Sequence, residues 1–403
     1  MALRRIGVPV LTVLGDSGHA ETMRPLLEEF GPVLPLRHGF GSVVAALRAA
    51  NAQGITTFSE RMQEPTARLA LELDLPYHLP GTVRLLTDKY AQRERLHASG
   101  MAPVRSHLLR RAGDWDEALA RVGLPGVLKP ARGEGSRNVF RVDDPESGRR
   151  LAESLLGGDR EENALVLEEF LEGRDEAPLG DYVSVECLVL FGKVTVLAVT
   201  GKFPLLPPFR EVGQFWPSHL GGSEASGVEE MAVAAVRALG VSTGITHTEI
   251  KLTADGPRII EVNGRLGGGL ADLTLRATGL NLIEVAGRIA LGRPVTPTPV
   301  NPDRVYFQFS TPAPREPCRL DRPRGVAELR RIPGITGYLP LVRRGTELPG
   351  GVSTSFLDIV GGHAADHTGM VATVEEVKKT LAYEFSTTDG RRFSLSAAGL
   401  MSR

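Results

Sequence analysis

Residues 246–270 read THTEIKLTADGPRIIEVNGRLGGGL, and the spacing of their polar residues suits a metal and phosphate site. Ala254-Asp255-Gly256 fits a three-residue hairpin loop with Gly256 in the left-handed position. Counting outward sets Thr253 opposite Pro257 and Glu249 opposite Glu261. Strand alternation then gathers Glu249, Lys251, Glu261 and Asn263 on one face, and Ile250, Leu252, Ile260 and Val262 on an apolar one. Two carboxylates directly across a ladder repel unless a cation sits between them. With an amide oxygen they form a hard-oxygen set suited to Mg²⁺, which commonly shares its shell with substrate phosphates. The alternative is a solvated hairpin face in which Lys251 neutralises one glutamate.

Asn263 leads directly into Gly264-Arg265-Leu266-Gly267-Gly268-Gly269. Such glycines let backbone N–H groups approach an anion, and Arg265 adds a bidentate fork for a carboxylate or phosphate. Upstream, Lys129 ends a short strand and precedes Ala-Arg-Gly-Glu-Gly-Ser-Arg, whose Gly133, Gly135 and Ser136 suit a loop folding over phosphates. The lysine precedes the loop, so this is no Walker A motif; an ordinary hairpin connection is the alternative. Residues 165–173, LVLEEFLEG, read as a strand whose end offers backbone groups and a carboxylate to an adenine edge, or merely solvated acids.

The 47 basic residues divide into 40 Arg and 7 Lys, a skew that a high-GC coding bias produces. A lysine retained against it marks a place where a compact point charge is needed. Lys89, Lys129, Lys202 and Lys251 meet that description, whereas Lys193, Lys378 and Lys379 suit the surface.

The elements that must position these groups follow from pattern. Residues 1–88 alternate apolar runs (VPVLTVL, PVLPL, GITTFS) with helical segments, as in a parallel α/β domain. The turn Gly15-Asp16-Ser17-Gly18 lacks dinucleotide-binding spacing. One helix is expected through TVRLLTDKYAQRERLHASG. Next come a hairpin at Phe191-Gly192, a helix near 223–239, and a mixed α+β region from 301 with a late helix and frayed last residues. The expected division is 1–88, 89–300 with a small lobe near 110–165, and 301–403.

A net charge of −1 argues against a nucleic-acid partner bound through a basic face. No apolar run approaches membrane-spanning length, and residues 8–14 read as a first buried strand rather than a signal peptide. Cys187 and Cys318 cannot build a disulfide framework, so a cytoplasmic protein is expected.

The order Lys89, VLKPARGEGSR, VLEEFLEG, SVECLV and Glu249…Glu261-x-Asn263-x-Arg265 resembles the ATP-grasp superfamily over residues 85–295. On GKFPLLPPFREVGQFWPSHL and EVNGRLGGGL the chain is similar to L-amino acid ligases of the bacilysin-synthetase type. The resemblance implies an ATP-grasp fold flanked by an N-terminal α/β and a C-terminal α+β domain. It also implies ATP-dependent amide formation through an acyl phosphate, releasing ADP and phosphate. Substrates would be small-molecule amino acids or other carboxylates and amines; the Arg-rich coding bias adds the expectation of a specialised metabolism. Cofactors would be ATP and two Mg²⁺, with Mn²⁺ as a substitute, and the family suggests a homodimer.

By matching position, Lys89 and Lys129 bind ATP phosphates, Gly133, Gly135 and Ser136 close over them, and Glu168 with the backbone of Phe170 and Leu171 holds adenine. Glu249, Glu261 and Asn263 carry the metal, and Arg265 stabilises the acyl phosphate. Glu211 receives a substrate ammonium, with Lys202, Gln214 and Gly268 beside it. Gln214 stands where some ligases carry histidine, and GRDEAPLGDYVSVE has extra residues, leaving Asp181 and Glu176 both open as the ribose acid. His247 and Cys187 read as structural, Phe215 and Trp216 as packing or pocket lining, and His363 with His367 as no zinc site. Other readings are a carboxylase of the biotin carboxylase kind, loading of a carrier-protein thiol, or a non-catalytic nucleotide-binding module, which would not need Arg265.

Overall fold

A computed structural model describes residues 2–101, 103–157, 162–295 and 302–402. Its centre is an eight-stranded sheet, antiparallel at every pairing. In spatial order the strands are Gly256–Asn263, Gly244–Thr253, Tyr182–Leu190, Lys193–Lys202, Gly213–Trp216, Val305–Pro312, Phe356–Ala364 and Ile335–Pro340. The sheet runs on through strands from both sides of residue 300, so the division expected there separates no sheet. Val305–Pro312 pairs directly with Gly213–Trp216 because Phe307 and Phe309 share one buried core with Phe203 and Phe215.

A second sheet of four strands orders Ser106–Leu109, Leu165–Glu169, Gly126–Pro130 and Phe140–Val142. Trp115, Leu128, Leu165 and Leu167 form its core against the helices Trp115–Val122 and Pro145–Leu156. The lining of the main cavity is drawn from both sheets. A third sheet, with Cys318–Arg324 and Ala382–Ser386 at its centre, backs the far end of the large one.

Several expectations are corrected. The first strand is only Thr12–Leu14, paired in parallel with Val33–Pro35, and GITTFS adds no third strand. Gly54 instead lies against the Ala290 carbonyl, where a Cβ would come within 2.5 Å of the oxygen. The single helix expected across Lys89 is two, Pro80–Thr87 and Lys89–Ala98, broken at extended Asp88. Asp88 caps the second helix by accepting from the Ala91 amide, an ordinary N-cap role. The last residues form a strand, Arg392–Ser396, and a short helix, Ala397–Met401, that buries Ala397 and Leu400. The hairpin at Phe191-Gly192 forms as expected, both turn residues having positive φ.

Candidate active site

Glu249 and Glu261 face each other across the hairpin ladder, as the sequence suggests. The route to that register differs. The turn holds two residues, with Thr253 opposite Gly256, and a bulge after Glu249 absorbs the extra residue. Ile259 therefore takes the buried position expected of Ile260, and Ile260 lines the cavity. Asn263 lies opposite His247, so Lys251, Glu249 and His247 follow one another along the cavity face.

Helix Lys89–Ala98 lies along this hairpin with residues at helical spacing. Lys89 Nζ meets Glu261 Oε2 at 2.7 Å and donates to the Gly133 carbonyl at 3.1 Å. Gln92 donates to and accepts from the backbone of Val262, each at 2.8 Å. Arg93 donates to the carbonyls of Ile259 and Ile260. Burial opposes the ionisation of Glu261, but Lys89 and then Lys129 hold its carboxyl far below the usual range.

Arg93 also grips both oxygens of Glu168, at 3.0 and 3.1 Å, and Lys129 Nζ meets the same carboxylate at 2.7 Å. Burial opposes a charge on Glu168, yet Arg93 and Lys129 bring its pKa down to about 2. The acid that the resemblance assigns to adenine lines the cavity with its carboxylate shared by two cations. Burial pulls the Lys129 pKa down against the attraction of Glu168. The Phe170 amide donates to the Pro125 carbonyl at 3.1 Å, which removes it as an adenine donor. Among the described residues the Leu171 amide has no backbone acceptor.

His247 bridges two acids: Nδ1 to Glu186 Oε1 at 2.5 Å and Nε2 to Glu249 Oε1 at 3.2 Å. Burial works against its protonation, but Glu186 and Glu249 raise its pKa to about 9. The histidine is hydrogen-bonded as expected, and it also lines the cavity. Arg265 Nε donates to Glu60 Oε2 at 3.0 Å, an acid 205 residues earlier in the chain that no sequence spacing connects to it.

Lys202, Gln214 and Gln308 lie opposite one another on three successive strands. Lys202 Nζ donates to Gln214 Oε1 at 3.1 Å, and Gln214 Nε2 donates to the Gly268 carbonyl at 2.7 Å. Gln308 in turn donates to Asp272 at 2.7 Å. Gly269 has φ +72°, and a Cβ there would come within 2.3 Å of the Gln308 oxygen.

Lys89, Arg93, Lys129, Glu168, Lys202, Gln214, His247, Glu249, Glu261, Arg265 and Gln308 all line one cavity of about 500 Å³. Every residue assigned from the sequence to the nucleotide, metal or substrates lines it except the two candidate ribose acids, Asp181 and Glu176. Asp181 meets the cavity only through Lys251, at 2.7 Å, and Glu176 is bound to Arg174 and His219. Phe215 and Trp216 are packed in cores. Sequence reasoning missed Tyr182 and Phe209, which sit inside the quoted motifs, and Gln308, Ser310, Thr354 and, behind Arg265, Glu60, which segments outside them bring in.

Charge pairing around the cavity is nearly complete. Arg137 pairs with Glu162, Glu134 with Arg61, and Glu169 with Arg105. Lys202, 2 % exposed, and Glu211 are the two cavity-lining charges with no ion-pair partner among the described residues. Burial raises the Glu211 pKa against the pull of Lys202.

The donor set fits Mg²⁺: two opposed carboxylates and the Asn263 amide are hard oxygen donors facing the cavity. Among the described residues no cluster of three or more His, Cys, Asp or Glu could hold a metal, so substrate oxygens would have to complete the shell. His363 lies against Tyr306, and His367 is hydrogen-bonded to the Pro217 carbonyl.

Residues 122–272 match the ATP-grasp domain family, and the chain has the ATP-grasp fold. It superposes on an L-amino acid ligase from Bacillus licheniformis with a TM-score of 0.79 and 22% identity, covering 94% of this chain and 93% of that one. In sequence it is 31% identical to human carnosine synthase 1 over 58% of this chain and 30% of the relative. It is 27% identical to alanine–anticapsin ligase of Bacillus subtilis over 56% of this chain and 51% of the relative. The chain thus matches less than two thirds of the length of these curated relatives.

Proposed function

We propose that the protein is an ADP-forming ligase that joins the carboxylate of one amino acid to the amine of another, or of a related amine. The observation that carries this reading is the pair of unmatched charges, Lys202 and Glu211, in a cavity whose other charged groups are paired. A buried cation and a part-buried acid, both facing the cavity, are complementary to a zwitterion, and an α-amino acid is the smallest common one. The relatives named as amino acid ligases and as carnosine synthase support the same class.

In this reading Lys89, Lys129 and the loop from Gly133 to Ser136 neutralise and enclose the triphosphate, while Leu171 and Phe170 border the base. Glu249, Glu261 and Asn263 hold one or two Mg²⁺, for which Mn²⁺ could substitute. Bound there, the metal screens phosphate charge and polarises the transferring group. A substrate carboxylate oxygen attacks the γ-phosphorus and ADP leaves with the bridging oxygen. Arg265, which Glu60 holds, stabilises charge on the acyl phosphate in this reading. The amine nitrogen then attacks the carbonyl, phosphate departs, and the nitrogen sheds its proton. Glu211 positions the ammonium end of an amino acid substrate.

ADP release measured with amino acids singly and in pairs tests the reading. Turnover that requires two amino acids, with an amide product by mass, is expected. Turnover with bicarbonate or a carrier-protein thiol instead overturns the acceptor assignment. ATP binding without turnover on any panel overturns the ligase reading.

A further inference from the structure

Thr354 lies between the strands Glu347–Leu348 and Phe356–Ala364 and reaches the cavity from the C-terminal part of the chain. Its amide donates to the Gly135 carbonyl at 3.0 Å, at the tip of the phosphate-side loop. Its Oγ1 accepts from the Glu211 amide at 3.3 Å. One residue thereby touches both the loop that covers the phosphates and the residue carrying the unpaired acid.

Apart from Arg137 and Asn138, which tie the loop's far end to Glu162, the loop is held by two side chains. Lys89 holds the Gly133 carbonyl, and Arg61 lies 3.5 Å from Glu134. Gly135 and Ser136 both have positive φ, so the tip keeps an uncommon backbone shape that contacts must sustain. An acyl phosphate is lost to water if the site opens before the amine attacks.

We propose that Thr354 is a positioning residue, a latch that makes closure of the Gly133–Ser136 loop and seating of Glu211 one event. The inference rests on the ligase reading for its consequence, coupling of ATP use to amide formation. Its geometry can be tested without that reading. Thr354→Val keeps the amide donor and removes the hydroxyl acceptor with little change of shape; Thr354→Ser keeps both.

Hydrogen exchange is followed with and without AMP-PNP and Mg²⁺. In the wild type, nucleotide is expected to protect the peptides containing Glu211 and Thr354 together. In Thr354→Val, protection around Glu211 is lost by about tenfold or more in exchange rate, while that at Thr354 persists; Thr354→Ser restores both. Equal protection around Glu211 in wild type and Thr354→Val overturns the latch, as does the absence of nucleotide protection at these peptides in the wild type. In turnover, Thr354→Val is expected to raise the ratio of ADP to amide about fivefold or more and the KM of the amino acid that Glu211 positions about tenfold, with ATP KM within twofold. A wild-type enzyme that makes no amide from any pair overturns the ligase reading alone, because the exchange measurement still decides the latch.

Discussion

Lys129 and Glu168 illustrate how single residues set the charge of the site. Lys129 is almost fully buried, and an ammonium there without a counter-charge would surrender its proton. Glu168, shared with Arg93, keeps that charge in place. Removing one member of a buried ionic set costs about 3 kcal/mol or more. Glu168→Gln is therefore expected to lower Tm markedly at neutral pH. The folded pKa of about 2 lies below the ordinary 4.5, so the stabilisation is complete above about 4.5 and is lost as pH falls toward 2. Thermal melts across pH should show the gap between wild type and Glu168→Gln shrinking through that window; a constant gap contradicts the pairing. At the opposed glutamates, Glu261→Ala is expected to abolish ADP formation, at least a hundredfold, by removing a metal donor and unpairing Lys89. Wild-type rates in that variant refute the metal assignment.

Among the elements, the break at Asp88 matters most, because it makes Lys89 the first residue of a helix instead of an interior one. From there Lys89, Gln92 and Arg93 all reach the hairpin strand Gly256–Asn263. Loss of such a cap costs about 1 kcal/mol. Asp88→Ala should therefore drop Tm by a few degrees and raise the ATP KM about threefold or more, read by melting and ADP formation; an unchanged ATP KM separates the cap from the site. Elements were legible where local chemistry and periodicity agreed. Opposition of Glu249 to Glu261 could be counted from the turn, although the turn is a residue shorter than expected. The bulge restores the count at the glutamates, because a one-residue slip would put them in the apolar core. GITTFS has a strand's composition yet packs on the Ala290 carbonyl, a tertiary choice that local pattern cannot express. Asp88 could have been read as a cap, since it precedes a helical segment, but the apolar spacing of the helix before it runs on without a stop.

At the scale of the whole molecule the site is assembled from three stretches of chain. The middle supplies lysines, glutamates and the glycine-rich turns, and the C-terminal stretch supplies Gln308, Ser310 and Thr354. The segment before Lys89 supplies Glu60, Gln63 and His78, which cluster behind Arg265. His78 Nε2 lies 3.0 Å from the Gly264 carbonyl, and a Cβ on Gly264 would come within 2.8 Å of Gln63 Oε1. Motif order exposed the middle stretch because its ligands lie close in sequence; the outer two contribute single side chains that no motif spacing connects to it. Glu60 gives the sharpest test of that assembly. Burial raises its pKa against the pull of Arg265, the guanidinium it accepts from at 3.0 Å. Glu60→Gln retains an oxygen for Arg265 Nε and loses the charge that orients the fork. If Arg265 acts on the acyl phosphate, the variant should lose about tenfold in kcat while ATP KM stays within twofold, because the lysines that meet the triphosphate are untouched. Steady-state ADP formation with the best amino acid pair measures both constants. A rise in ATP KM with kcat intact would instead place Arg265 on the nucleotide and take it out of the chemical step.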